Sequence, residues 1–318
     1  MPEYEDATGI WREALIKLPV RLKGRPAMEP VAMASTNEAV MITDRHARPT
    51  FHSYDLRTRR SRALGTAPKW AQCNDCFEIK SVAVSRTRIV WTAAIYRSEP
   101  WNAGHRHVEL WTMPRAGGAM RLVTWLTGHG DVPFEDELSL SGDDALWRGR
   151  EHAYRVPLGG GPAQALPQVA PPPAALRDLD GTRCGREWCA GLLPPRLHEL
   201  TKVVVVRRDG TGRREVVASD GWPLMNDRFG LFAAPDVNDH SERSYTAAHP
   251  LPQPLLYDRC TGKSGRVGGL PKGSATYQVL RGGQSATSPE EPLLYWKSRD
   301  GRSWTVLDLS RIPDSACT

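Results

Sequence analysis

The sequence predicts an all-β protein, a six-bladed β-propeller of four-stranded antiparallel blades whose last blade is closed by an N-terminal strand. Three observations predict this fold. The 318 residues include 28 Gly and 26 Pro, a composition that favours many turns and few long helices. Short runs rich in Val, Leu, Trp and Tyr alternate with Asp-Gly and Gly-Gly turns, as in consecutive hairpins. This unit recurs about every fifty residues, a spacing typical of propeller blades.

The shortest copy shows the repeated unit most clearly. ELSLS (137–141) turns at Gly142 into ALWRG (145–149), and AYRVPL (153–158) turns through a Gly-rich segment into AQALP. The same order predicts further strands, among them PAALRDL at the start of the fourth blade and ATYQVL at the start of the sixth. The predicted blades are 30–66, 78–127, 136–167, 173–219, 227–271 and 274–310. A pair of β-sandwiches is the alternative fold.

The sixth copy lacks a fourth strand, and the N-terminus offers one. Residues 11–19 (WREALIKLP) end in Leu-Pro, as do the fourth strands AQALP and RVGGLP. If residues 11–19 complete the sixth blade, the ring closes and no sheet edge is left unpaired there. We therefore predict one propeller domain over residues 1–318.

The connections between strands separate into two faces of the predicted propeller. Within each blade, the connections between the first and second strands and between the third and fourth strands are mostly short. We call the face on which they lie the short-turn face. The others emerge together on the opposite, long-loop face, and they are residues 70–78, 97–107, 128–137, 220–228 and 235–253. Binding and catalytic groups concentrate on long loops held by a rigid scaffold, so the long-loop face is the predicted site.

The polar and aromatic residues of these loops supply the candidate site. His beside Asp or Glu can perform acid–base chemistry or hold a metal, and Trp offers a flat apolar surface for a ring or a peptide. The alternative interpretation is that they form and cap turns. The candidates for catalysis are His105, His240, Asp131 and Glu135. The candidates for ligand binding are Trp101, His107, His129, Asp136, Trp222, Asp227, Asp236 and Asp239.

No catalytic motif selects a reaction. G-x-S-x-G, H-E-x-x-H and P-loop patterns are absent from the sequence, and Asp209-Gly-Thr-Gly falls where a hairpin turn is predicted. We therefore keep three hypotheses. The first is a protein that binds a small molecule or a protein at the long-loop face and channel mouth. The second is a small-molecule lyase, hydrolase or cyclase, for instance of secondary metabolism, and the third is a scaffold without a pocket. No cofactor or metal is predicted.

The charge and hydropathy patterns limit the partners. The formal net charge is +6, but the arginine clusters at 57–62 and 207–214 fall in predicted turns, which is typical of a solvated surface rather than a nucleic-acid footprint. No run approaches the length of a membrane span. We expect a monomer without nucleic-acid partners.

Six cysteines form three groups: Cys73 with Cys76, Cys184 with Cys189, and Cys260 with Cys317. Zinc is disfavoured because the first two pairs fall in different blades and on opposite faces, and a thioredoxin-like role lacks its βαβ context. Disulfides are favoured, and with them a secreted or cell-envelope location. The N-terminal MPEYEDATGIW has no signal-peptide pattern, so a cytoplasmic location is the alternative.

Several turn sequences carry a family resemblance. YDLRTRRSRAL, LYDRCTGKSGRVGGLP and VVRRDGTGRREV, with CGREWC in the turn of the fourth blade, resemble actinobacterial TolB-like or WD-repeat-like propellers. The usual family turn is Asp-x-x-Thr-Gly, from which Asp55-Leu-Arg-Thr-Arg departs at the glycine. The resemblance implies a propeller fold and export, and it implies no reaction.

Overall fold

A computed structural model describes most of the chain. The described residues are 4–22, 24–43, 48–67, 77–96, 106–126, 137–149, 152–167, 173–194, 200–218, 224–225, 227–234, 254–268, 280–284, 292–313 and 317.

The chain folds into an all-β ring of six blades, as predicted. Two N-terminal strands come first, β1 (Glu5–Asp6) and β2 (Leu15–Pro19). The strands of the first three blades are β3 (Glu29–Ser35), β4 (Glu38–Thr43), β5 (Thr50–Asp55), β6 (Arg60–Thr66), β7 (Phe77–Val84), β8 (Arg88–Tyr96), β9 (Arg106–Pro114), β10 (Arg121–Trp125), β11 (Glu137–Ser141), β12 (Asp144–Arg148), β13 (Ala153–Pro157) and β14 (Gln164–Ala165).

The other three blades follow in chain order. Their strands are β15 (Asp180–Cys184), β16 (Trp188–Leu193), β17 (Lys202–Arg207), β18 (Arg214–Val217), β19 (Phe229–Ala233), β20 (Pro254–Asp258), β21 (Lys263–Arg266), β22 (Leu280–Gln284), β23 (Pro292–Lys297) and β24 (Ser303–Asp308). The only α-helix of the described residues is the single turn Ala7–Ile10. No helix among them is long and apolar enough to cross a membrane.

The predicted closure of the ring by an N-terminal strand is confirmed, but of the predicted residues 11–19 only Leu15–Pro19 is a strand, because Arg12–Ala14 forms a 3₁₀ turn. β2 pairs antiparallel with β24, with Leu15 opposite Leu307 and Pro19 opposite Ser303. Ile16 and Leu18 are buried while Lys17 between them is exposed, the alternation of a strand with one face on the core. The N-terminal strand is therefore the outer strand of the sixth blade.

The fifth blade is completed by a strand that sequence analysis did not foresee. β19, β20 and β21 form an antiparallel meander, and β1 adds to its outer edge in parallel, with Glu5 opposite Gly265. Before β19, Met225 and Phe229 form an isolated bridge across a tight turn. The N-terminal segment thus contributes to two neighbouring blades.

Two predicted inner strands begin later than the sequence indicated. PAALRDL was predicted as a strand, but Ala174–Leu176 is a 3₁₀ turn and the strand begins at Asp180. Pro173 precedes that turn, where its fixed φ suits a helical start, and two alanines follow. In the sixth blade the inner strand starts at Leu280, and the rest of ATYQVL lies outside the described residues.

The hydrophobic core consists of layers between successive blades. Between the first and second blades, for example, Phe51 packs on Trp91 with ring centroids 4.8 Å apart. At the centre of the ring, Gln284 of the sixth blade pairs with Ala83 of the second, so the inner strands meet and the channel is narrow at that level.

His52 on β5 makes the stability of the ring depend on pH. Burial lowers its pKa from the usual 6.5, and the charge of Arg25 lowers it further. Below about pH 6.5 the unfolded chain binds a proton that the folded chain resists, so the free energy of unfolding falls as the pH falls. We expect wild-type to lose more stability than His52→Gln between about pH 7.5 and 5 in urea titrations.

The control for that experiment is the exposed His152, replaced in the same way. His152→Gln should keep the pH dependence of wild-type. If His52→Gln keeps it too, protonation of His52 does not contribute to acid destabilisation.

Candidate functional site

Most of the predicted site residues fall outside the described part of the chain. They are His105, His240, Asp131, Glu135, Trp101, His129, Asp136, Trp222, Asp236 and Asp239, together with Cys73 and Cys76. Their roles stay predictions. The structure places two of the predicted ligand-binding residues, His107 and Asp227, and puts them in different surroundings.

His107 belongs to a polar and aromatic group on the second blade. A hydrogen bond of 3.0 Å joins its Nε2 to Oε1 of Glu109, whose Oε2 accepts a 2.8 Å hydrogen bond from Nε1 of Trp111. The three residues alternate along β9, so their side chains lie on one side of the sheet. The His107 and Glu109 side chains are only 4% and 8% exposed. The Glu109 carboxylate therefore holds both the His107 imidazole and the Trp111 indole in place.

Trp125 covers this group from the neighbouring strand. It is 50% exposed, and its ring stacks on that of His107 with centroids 4.5 Å apart and planes 29° from parallel. Trp125 ends β10 just before residues 127–136, and His107 follows residues 97–105. Both long connections thus leave from the same end of the second blade. We call His107, Glu109, Trp111 and Trp125 the blade-two cluster.

Asp227 is placed differently from the sequence-based expectation. It lies in the tight turn between Met225 and Phe229, with the left-handed φ of 51°. Its carboxylate accepts hydrogen bonds from the backbone N–H groups of Glu187 (2.9 Å) and Trp188 (3.1 Å), in the hairpin turn of the fourth blade. That hairpin turn belongs to the short-turn face. Met225 and Phe229 bond to each other across a tight turn, and this brings Asp227 to that side.

The role of Asp227 in the structure is to join two blades. Beside its carboxylate bonds, its carbonyl accepts a 2.8 Å hydrogen bond from Nε of Arg259 on the fifth blade. At Gly185 a Cβ would overlap the Asp227 carboxylate, so glycine there permits the close approach. A ligand-binding role for Asp227 stays a prediction, and such a ligand would meet a carboxylate already engaged by two N–H groups.

Two disulfides strengthen the same region. Cys184 and Cys189 are bonded across the β15–β16 hairpin, and Cys260 after β20 is bonded to Cys317 near the C-terminus. The favoured disulfides are confirmed at these four positions. Among the residues that the structure describes, no group of His, Cys, Asp and Glu has the arrangement of a metal site.

Sequence reasoning missed Glu109, Trp125 and Arg259. A sequence signal for Glu109 was available, because His107, Glu109 and Trp111 alternate along a predicted strand and so lie on one side of it. Stacking of Trp125 on His107 depends on the register between β9 and β10, and contact of Arg259 with Asp227 depends on the packing of two blades.

Comparison with known proteins finds similar solved structures at low sequence identity. No family model and no curated protein matches the sequence. An oligogalacturonate lyase in complex with manganese is similar in structure, with 9% identity over 90% of this chain and 77% of that one, and a TM-score of 0.41. A protein described as TolB from Agrobacterium tumefaciens has 13% identity over 92% and 97%, with a TM-score of 0.37. The six blades of the ring themselves define the class of protein, a six-bladed β-propeller.

Proposed function

We propose that this propeller is a binding protein that holds a ring-bearing ligand, a saccharide, at its long-loop face against Trp125. The observation that supports the proposal is the half-exposed indole of Trp125 at the end of the second blade, stacked on His107. An indole offers a large apolar face and a polar N–H edge, which suits a ring that is apolar on one side and hydroxylated at its rim.

The blade-two cluster supports binding by holding Trp125 in place. Glu109 orients His107, and His107 in turn lies under the Trp125 ring. A platform fixed in this way loses little conformational entropy when a ligand docks, which improves affinity. In this proposal Trp101, His105, His129 and Asp131, which fall in residues 97–105 and 127–136 of the sequence, would complete the site.

The same geometry favours binding over the enzymatic alternative. Acid–base catalysis requires a histidine or carboxylate within hydrogen-bond reach of the substrate. His107 and Glu109 are buried and bonded to one another, so they position Trp125 rather than face a substrate. Hydrolase or lyase activity would have to come from His105, His240, Asp131 and Glu135.

We also propose an oxidising location, the cell envelope or the exterior, for a monomeric protein. The disulfides Cys184–Cys189 and Cys260–Cys317 support it, since structural disulfides persist mainly in such compartments.

The binding proposal is tested with an array of immobilised neutral and acidic oligosaccharides. We expect wild-type to bind at least one, and Trp125→Ala to bind it about tenfold more weakly or worse, since aromatic contacts contribute about 0.5–1.5 kcal/mol beyond their buried area. The matched control is Leu122→Ala, which removes another exposed apolar side chain of β10 at the opposite end of the strand.

Three outcomes decide between the hypotheses. Loss of binding in Trp125→Ala but not in Leu122→Ala supports the proposal. Absence of binding to every oligosaccharide, or equal loss in both variants, contradicts it. Cleavage of the bound saccharide, abolished in His105→Ala or His240→Ala, would establish the enzyme instead.

A further inference from the structure

A second feature lies on the short-turn face, where the fourth and fifth blades meet. The guanidinium carbons of Arg207 and Arg259 lie over the ring of Trp188, 5.2 and 4.1 Å from its centroid. Arg214 joins them by a 2.8 Å hydrogen bond from its Nη1 to the carbonyl oxygen of Arg259. We call Arg207, Arg214 and Arg259 the arginine cluster. It combines residues from two blades around one indole.

The positive charge of the arginine cluster is offset only at a distance, by Asp209 near Arg207 and by Asp227 near Arg259. Within the described part of the chain, none of its three members forms an ion pair with a carboxylate; their hydrogen bonds go to the carbonyls of Asp227 and Arg259 and to the sulfur of Cys317. Asp227, whose charge acts on Arg259, accepts hydrogen bonds from two backbone N–H groups with its carboxylate oxygens. By contrast, the adjacent Arg213 is paired with Asp178 at 2.8 Å.

The guanidinium groups also repel one another. Burial lowers the pKa of Arg259 from its ordinary value, the charges of Arg214 and Arg207 lower it further, and Asp227 acts in the opposite direction. A bound ion of opposite charge reduces this repulsion, because its attraction to each guanidinium falls off with distance in the same way.

The cluster is rigid enough to act as a preformed site. The Cys184–Cys189 disulfide closes the hairpin that carries Trp188, and the Cys260–Cys317 disulfide fixes the backbone next to Arg259. Nε of Arg259 is held by the carbonyl of Asp227. Because the side chains are already oriented, a ligand would order little of the protein on binding.

The chemistry of the cluster selects the class of ligand. Arginine presents a planar fork that matches carboxylate and phosphate oxygens, and Arg207 and Arg214 are exposed. A nucleic acid fits less well, because Trp188 is buried and so offers no stacking surface. The exposed acids Asp178, Glu187 and Asp209 nearby would also repel a long phosphate backbone.

We propose that the arginine cluster is a second binding site, on the face opposite to Trp125, for a compact anion that carries two or more adjacent phosphate or carboxylate groups.

The test is calorimetric titration of the whole protein with tripolyphosphate and, separately, with citrate. We expect one of them to bind, and its identity distinguishes a phosphate ligand from a carboxylate ligand. Arg207→Gln/Arg214→Gln should weaken that binding about tenfold or more. The matched control is Arg57→Gln/Arg60→Gln, which removes the same charge from two exposed arginines at the β5–β6 hairpin of the first blade.

A charge-conserving variant keeps the test independent of folding. Arg207→Lys/Arg214→Lys retains the net charge but removes the planar forks, and we expect it to keep the wild-type Tm while still losing affinity. The proposal is wrong if neither anion binds, if the first-blade control loses as much affinity, or if a single-stranded oligonucleotide binds more tightly than both anions. Trp125→Ala should leave anion binding unchanged, so this site and the saccharide site are tested separately.

Discussion

Replacing Arg228 with methionine is expected to lower the free energy of unfolding by about 3–5 kcal/mol, because the buried carboxylate of Asp258 loses its charged partner and keeps only the hydrogen bonds from Cys260 and Thr261. Nε and Nη2 of Arg228 donate hydrogen bonds of 3.0 and 3.1 Å to the two oxygens of Asp258. The two side chains are 3% and 0% exposed. Arg228 also donates to the carbonyls of Ile312 and Pro313, at 3.1 and 2.9 Å. The same residue therefore holds the segment after β24 against the fifth blade.

The comparison is an ion pair at the surface. Nε of Arg155 lies 2.6 Å from Oδ2 of Asp144, but the Arg155 side chain is 48% exposed. Arg155→Met should cost less than about 1 kcal/mol in the same urea titration. If the two variants lose similar amounts of unfolding free energy, burial does not decide how much the Arg228–Asp258 pair contributes to stability.

Shortening Leu18 to alanine is expected to cost about 2–5 kcal/mol, because the side chain is fully buried in the strand that closes the ring. Leu18 packs in the layer between the sixth and first blades, in the cluster that includes Tyr295 and Trp304. Lys17→Ala is the matched control. Lys17 is exposed and donates one hydrogen bond to Thr305, so its loss should cost less than about 1.5 kcal/mol.

Removing residues 1–19 tests the closure more severely. The edge of β24 would lose its pairing from Ser303 to Leu307, and the buried side chains under β2 would be exposed. Unpaired edges and exposed apolar surface lead to aggregation, so we expect a large loss of the monomer peak in size-exclusion chromatography. A monomeric truncated chain with wild-type Tm would show that β2 is dispensable.

The parts of the fold that sequence analysis predicted depend on local patterns. The Leu-Pro ending that residues 11–19 share with AQALP and RVGGLP predicted β2, and the alternating burial of Ile16, Lys17 and Leu18 in the structure agrees with that prediction. Cys184 and Cys189 were recognisable because they flank a short hairpin turn. Such features can be recognised in the sequence without knowing which blades pack together.

The parts that were missed depend on contacts between distant segments. PAALRDL has the apolar content of a strand, and its 3₁₀ turn follows from Pro173 and from the start of β15 at Asp180. The pairing of Glu5 with Gly265 joins segments that share no sequence signal. In the same way, Trp188 and Arg259 meet only because the fourth and fifth blades are neighbours.

The pairing of Leu15 with Leu307 has a consequence for synthesis. A ribosome that adds about 5–20 residues per second needs about 15–60 s to reach the partner strand after it has made β2. During that time the nascent chain carries an unpaired apolar strand, while blades one to four can already form. The last sheet assembles only after nearly the whole chain has emerged, so this interval is when a chaperone would contribute most to the yield of folded protein.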